Sequence, residues 1–268
     1  MPYCLPIRHQ PLERFNVGRS VWCYVEFWKF EDMIQRKCLF FTRLRHIVDR
    51  EIDPFEGAFS QANFEEPDRN VRYMLHDVLA PGQSQDTIDG VARQFTDLES
   101  LRDQEEWGKD HTYINCWFIN EFESEHMWNE YVRDGDGVAI ASTIRQLRAS
   151  FMEAAGNVCI QPAIYYNPDS SEIVPLDIFH TPLYKHRQWW RENELRCFEL
   201  APQSHAQYKE HCDGIGVWIP CDPQVLLQRV RLAPNCPADL TDRVRNVLDL
   251  SGLEHVVVEP SRLHRHLA

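Results

Sequence analysis

Apolar residues in this chain arrive in short runs of strand length, set apart by charged and turn-forming residues. Runs of this kind lie at Val21–Val25, Leu39–Phe41, Tyr113–Phe118, Val138–Ala141, Cys159–Tyr166, Glu194–Leu200, Ile215–Ile219, Val230–Leu232 and His255–Val258. Their lengths and their β-branched and aromatic content predict β-strands, and none approaches the roughly 20 residues of a membrane span. Stretches with helical spacing fall between them, at Lys29–Arg36, Ser124–Val132, Thr143–Ala154, His180–Arg191, Pro223–Gln228 and Leu240–Leu250. Strands and helices alternate too irregularly for a series of right-handed crossover units. The expected class is α+β: one mixed domain over residues 19–268, with a central, largely antiparallel or split sheet flanked by helices. Pro2, Pro6 and Pro11 predict an extended leader over residues 1–18. Residues 51–110 carry fifteen acidic against five basic side chains, interrupted by prolines and glycines, and read as an acidic insertion of short surface helices and loops.

A core of ordinary size is available, because 43% of the 268 residues are hydrophobic and eight are Trp. The net charge of −13 repels phosphate backbones and argues against nonspecific nucleic-acid binding. Nine cysteines include no Cys-x-x-Cys pair, and Cys38, Cys116 and Cys197 sit inside apolar runs, which suits buried reduced thiols. With no basic-then-apolar pattern at Met1–Pro6, the compartment expected is the cytoplasm, without membrane contact. Glycine-rich loops of the Walker or Rossmann kind and a Gly-x-Ser-x-Gly elbow are missing from the sequence. His205, His211, Cys212, His264 and His266 match no ligand spacing, so no metal is expected.

Three constellations carry chemical content. In Lys185-His186-x3-Trp190-x-Glu192-x-Glu194-x-Arg196, an extended backbone places Glu192, Glu194 and Arg196 on one face, with Leu195 and Cys197 opposite. Two carboxylates beside Lys185 and Arg196 predict divided titration, one pKa raised by like charge and the other carboxyl held ionised. The same pattern also fits a solvated strand face whose ion pair contributes about 0–1 kcal/mol. Asp53-Pro54-Phe55-Glu56-Gly57 either presents a loop carboxylate or forms a plain turn capped by Asp53. Met127, Trp128 and Tyr131 share a helix face and read as core or as a stacking wall.

Taken in order, these segments resemble the prokaryotic and phage family called domain of unknown function 2971. The resemblance spans roughly residues 21–263. It rests on Tyr24, Phe30-Glu31-Asp32-Met33-Ile34, Leu39-Phe40-Phe41-Thr42, Asp53–Gly57, Asn115-Cys116-Trp117, Glu123-Ser124-x-x-Met127-Trp128-x-x-Tyr131, Gly137–Ile140, Lys185, Glu192-x-Glu194-Leu195-Arg196, Val230-x-Leu232-Ala233-Pro234 and Ser261-x-Leu263. A strand, helix, strand opening, and Glu192-x-Glu194 followed by Val217–Pro220 and Val225–Val230, are also similar to ADP-ribosyltransferase-like toxins. That likeness implies NAD as substrate, Glu194 as catalytic carboxylate and Glu192 as its helper. It further implies an aromatic wall of Tyr24, Trp128 and Tyr131, and a role as toxin or phage-defence effector with a protein acceptor. Tyr24, Asp53, Glu56, Trp128, Lys185, Glu194 and Arg196 are expected to line one pocket. Two alternatives stand beside this reading: a non-catalytic module that binds or regulates a protein partner, and a metal-dependent hydrolase or nuclease built on Asp53, Glu56, Glu192 and Glu194.

Overall fold

The computed structural model describes residues 16–50, 52–75, 82, 84–132, 134–151, 158–169, 172–176, 181–200, 211–212 and 214–263. The chain is α+β. In order it forms β1 (Ser20–Glu26), α1 (Phe27–Arg36), β2 (Cys38–Arg43), α2 (Leu44–Asp49), α3 (Gln61–Glu65), α4 (Pro67–Tyr73), α5 (Gln85–Thr96) and α6 (Leu98–His111). Then come β3 (Thr112–Ile119), α7 (Glu125–Tyr131), β4 (Gly137–Thr143), α8 (Ile144–Ser150), β5 (Cys159–Pro162), β6 (Ile164–Tyr166), β7 (Tyr184–His186) and β8 (Glu194–Leu200). The last elements are β9 (His211–Cys212), β10 (Gly216–Pro220), α9 (Pro223–Leu226), β11 (Arg229–Leu232), α10 (Leu240–Leu250) and β12 (Val257–Pro260). Most of the proposed leader, the end of the helix expected to reach Ala154, and His180, His205, His264 and His266 lie outside the described residues.

Ten strands form one sheet in which every pairing is antiparallel except β11 with β12. The sheet splits at β3. Its far end pairs with β1 (Trp22 opposite Phe118), its near end with β2 (Thr42 opposite Ile114), and β8 runs beside it from Thr112 to Phe118. Asn115 sits at the split and donates its side-chain amide to the Phe40 carbonyl, satisfying a strand group that the divergence would otherwise leave unpaired.

Alternation along the strands divides the molecule into two layers. One face carries Val21, Trp117, Ile119, Val138, Ile140, Leu195, Cys197, Val217, Ile219 and Val230, packed with apolar side chains of α1, α8 and α10 into the main core. The opposite face carries Ile114, Cys116, Phe118, Glu194, Arg196 and Phe198, together with Trp22 and Tyr24, beneath α7 and the 44–111 segment.

Three expectations are corrected. Cys159–Tyr166 is two strands: Pro162 has no N–H to continue the ladder, and after the Ala163 amide bonds the Glu194 carbonyl the chain leaves to pair β6 with β7. Residues 181–192 form no α-helix but two 3-10 turns around the short strand β7, with His186 capping the second turn through the Gln188 amide. The acidic insertion is more than surface loop. It contains the 12-residue α5 and 14-residue α6, and buries Phe59, Met74, Phe95 and Leu101 in one cluster with Tyr166, Val174 and Leu176.

Candidate functional site

β8 leads Glu194 and Arg196 onto the same sheet face, and both side chains are buried. Glu192 reaches them by a route that strand periodicity misses. It closes a 3-10 turn, and Asn193, in the left-handed region at φ 37°, redirects the chain into β8. The expected extended row of three therefore holds only for Glu194 and Arg196. Opposite them stand Glu56, at the end of the Asp53–Gly57 turn, and Lys185 on β7. That turn is capped by Asp53, whose Oδ1 accepts from the Phe55 amide at 3.0 Å, and it needs Gly57 at φ 70°.

These side chains form one connected buried network. Arg196 donates from Nη1 and Nη2 to the two oxygens of Glu56 at 2.6 and 3.0 Å, from Nε to Glu194 Oε2 at 2.8 Å, and from Nη1 to the Pro182 carbonyl at 2.6 Å. Lys185 Nζ bridges Glu192 Oε2 at 2.5 Å and Glu194 Oε1 at 2.8 Å, and lies 5.5 Å from the centre of the Trp189 ring. The Tyr131 hydroxyl makes a long contact, 3.4 Å, with Glu192 Oε1, and the Glu194 amide donates to the Tyr165 hydroxyl oxygen. A solvated strand face is thus excluded.

Electrostatics in the network are uneven. Burial pushes the Glu192 carboxyl up, against the pull of Lys185, to about 7. Glu194 is buried too, but Lys185 and Arg196 together outweigh burial and hold it well below the usual carboxylate range. Burial, reinforced by Glu56, raises Asp53. The thiol of Cys116, on β3 opposite Arg196, is raised by burial and by Glu194 and is not a nucleophile at neutral pH. Four carboxyls, Asp53, Glu56, Glu192 and Glu194, face two cations. Among the described residues, Asp53 Oδ2 and the Trp189 indole N–H have no hydrogen-bond partner. No group of three His, Cys, Asp or Glu side chains is disposed to hold a metal among the described residues, and Lys185 and Arg196 already occupy both oxygens of Glu194.

Tyr24 and Trp128 do not join this network. They belong to a neighbouring cluster with Trp22, Phe118 and Met127, their rings 5.0 Å apart and edge-on. The Tyr24 hydroxyl oxygen accepts from the Ser124 amide, and its ring lies 6.4 Å from that of Phe118, which pairs with Glu194 across β3 and β8. Aromatic packing outweighs the hydroxyl's capacity to line a cleft. Tyr131, one turn along α7 from Trp128, does reach the network at Glu192.

A second buried ionic centre went unread in the sequence. Glu123 accepts from Arg231 Nη1, the Arg262 amide, Ser261 Oγ and the Trp128 indole, while Arg231 also pairs with Glu259 and lies over the Trp22 ring. Trp189 and the stacked pair Phe55 and His186, 5.0 Å apart, were likewise missed. The one local signal for them was the aromatic density of residues 184–190.

No protein-family model and no curated protein matches the chain. The chemistry of the site is therefore the ground for a functional reading. Among the described residues no helix is long and apolar enough to cross a membrane.

Proposed function

We propose that the chain acts on the N-glycosidic bond of NAD, releasing nicotinamide and passing ADP-ribose to water or to a protein acceptor. The observation that carries this reading is a pair of carboxyls on one lysine whose ionisations are driven apart, Glu192 to about 7 and Glu194 well below its ordinary range. Environments that separate two carboxyls in this way assign a proton carrier and a permanent anion. Bond cleavage sends the electron pair to the nicotinamide nitrogen, which leaves neutral, and creates an oxocarbenium-like ribose. Surplus negative charge, four carboxyls against two cations, favours both the cationic ring and that ribose. Glu192, the carboxyl of the pair whose pKa is raised, takes the proton of the attacking hydroxyl. Glu194 acts as a positioning residue, since Lys185 and Arg196 occupy both its oxygens. Phe55, Tyr131 and Trp190, all partly exposed near this edge of the network, supply ring surfaces. The strand, helix, strand opening (β1, α1, β2) and the passage from Glu194 to β10, Pro220 and α9 are consistent with this class.

The test is nicotinamide release from NAD by the folded chain, with and without cell lysate as a source of acceptor. We expect release that rises with pH through about 7 and falls by a factor of about 100 or more in Glu192→Gln, the range typical of a lost general base. Absence of release under both conditions overturns the reading. One observation favours the binding-module alternative: Glu56 and Glu194 accept internally from Arg196, and Glu194 also from Lys185, as in a purely structural network. Under that alternative Glu192→Gln keeps the biological effect intact.

A further inference from the structure

Beyond the ionic network the structure holds a cavity of about 280 Å³, walled by Leu44, Phe59, Trp107, Leu176 and Pro182. We propose that it is a second small-molecule site, separate from the NAD reading, for a neutral planar ring system of one or two fused rings. Size sets the ligand class: a dry apolar cavity of about 150 Å³ accepts benzene, so this volume has room for a bicyclic ring. Chemistry of the wall agrees. Its lining is mainly apolar, and Trp107 stays 42% exposed, stacked on His111 at 4.4 Å. A large indole left this exposed beside a concave apolar surface is an available stacking partner.

Charge refines the choice. The polar lining consists of Asp103, Gln104, Thr112 and Thr181, with Asp103 the one charged group among the lining residues, while Glu105 and Glu106 of α6 are already paired with Lys109. An anionic ligand is disfavoured there. Gly108 lines the same space. It lies inside the 14-residue α6, where glycine is a poor helix former, yet a Cβ built on it meets nothing within 4 Å. A larger side chain at this lining position therefore has room to occupy the space.

Ligand-observed NMR titration of the full chain with indole and with indole-3-acetate tests the proposal. Saturable indole binding is expected, with the carboxylate at least tenfold weaker. Gly108→Leu fills the space from a helix position that favours leucine over glycine, so it is expected to melt no lower than wild type while losing indole affinity at least tenfold. Gly108→Ala, a single added methyl, serves as a milder variant should leucine disturb folding, and is expected to weaken indole severalfold. The proposal is overturned if wild type shows no saturable indole binding, if both probes bind equally, or if the folded Gly108 variants bind indole as wild type does.

Discussion

Replacing Arg196 by Met removes the centre of the buried network while roughly conserving volume. The guanidinium is fully buried and supplies four hydrogen bonds, three of them to the carboxylates of Glu56 and Glu194 and one to the Pro182 carbonyl. Without it Glu56 loses both cationic contacts, and Glu194 keeps only Lys185. Removal of one partner from a buried ion pair costs about 3–5 kcal/mol, chiefly because a desolvated charge is left behind. For a chain of this size each kcal/mol lowers the midpoint by about 2–4 °C, so a loss of about 6–20 °C is expected. Urea denaturation followed by circular dichroism measures the free energy, and a double-mutant cycle with Glu56→Gln isolates the pair. Neutralising Glu56 should recover part of the loss, with a coupling of about 1 kcal/mol or more. A loss below about 1 kcal/mol, or simple additivity in the cycle, refutes the claim that these two side chains form one electrostatic unit.

Glu192→Gln should remove one pH dependence. The folded state retains the Glu192 proton to about pH 7, whereas an unfolded chain releases it near 4.5, so this group's stabilising contribution is complete below 4.5 and is lost as pH rises to 7. The glutamine variant, which does not titrate, should therefore gain on wild type between pH 5 and 8 in urea denaturation, and a stability difference independent of pH would contradict the assignment. At the second ionic centre, Glu123→Ala removes the more buried of the two carboxylate partners of Arg231, leaving Glu259, and frees the Ser261 hydroxyl and the Arg262 amide. A loss of about 3–5 kcal/mol is expected, with faster hydrogen exchange at 257–263 as the first sign; unchanged protection there would show that Glu123 does not secure the last strand.

Much of the fold was legible because it is local. α10 was read from Leu240 to Leu250 with its observed ends, and β8 from Glu194 to Leu200, because the apolar periods of those stretches match a helix and a strand. The segment 181–192 resisted, since its shape answers to Lys185, which must turn inward to two carboxylates, rather than to any period of its own. Most of the candidate site was nominated from residue types and chain order, yet its electrostatics were not readable. Nothing near Arg196 reveals that its main partner, Glu56, lies 140 positions earlier, and nothing near Tyr24 reveals that its hydroxyl bonds the Ser124 amide. Amino-acid order by itself determined the strand and helix content, the alternation of β8 side chains between the two sheet faces, and the acidic balance of the chain. Tertiary structure alone decided which carboxylates share a cation and how deeply they are buried. Period and propensity act between near neighbours, whereas ionisation depends on every charge within several ångströms and on the water excluded around it.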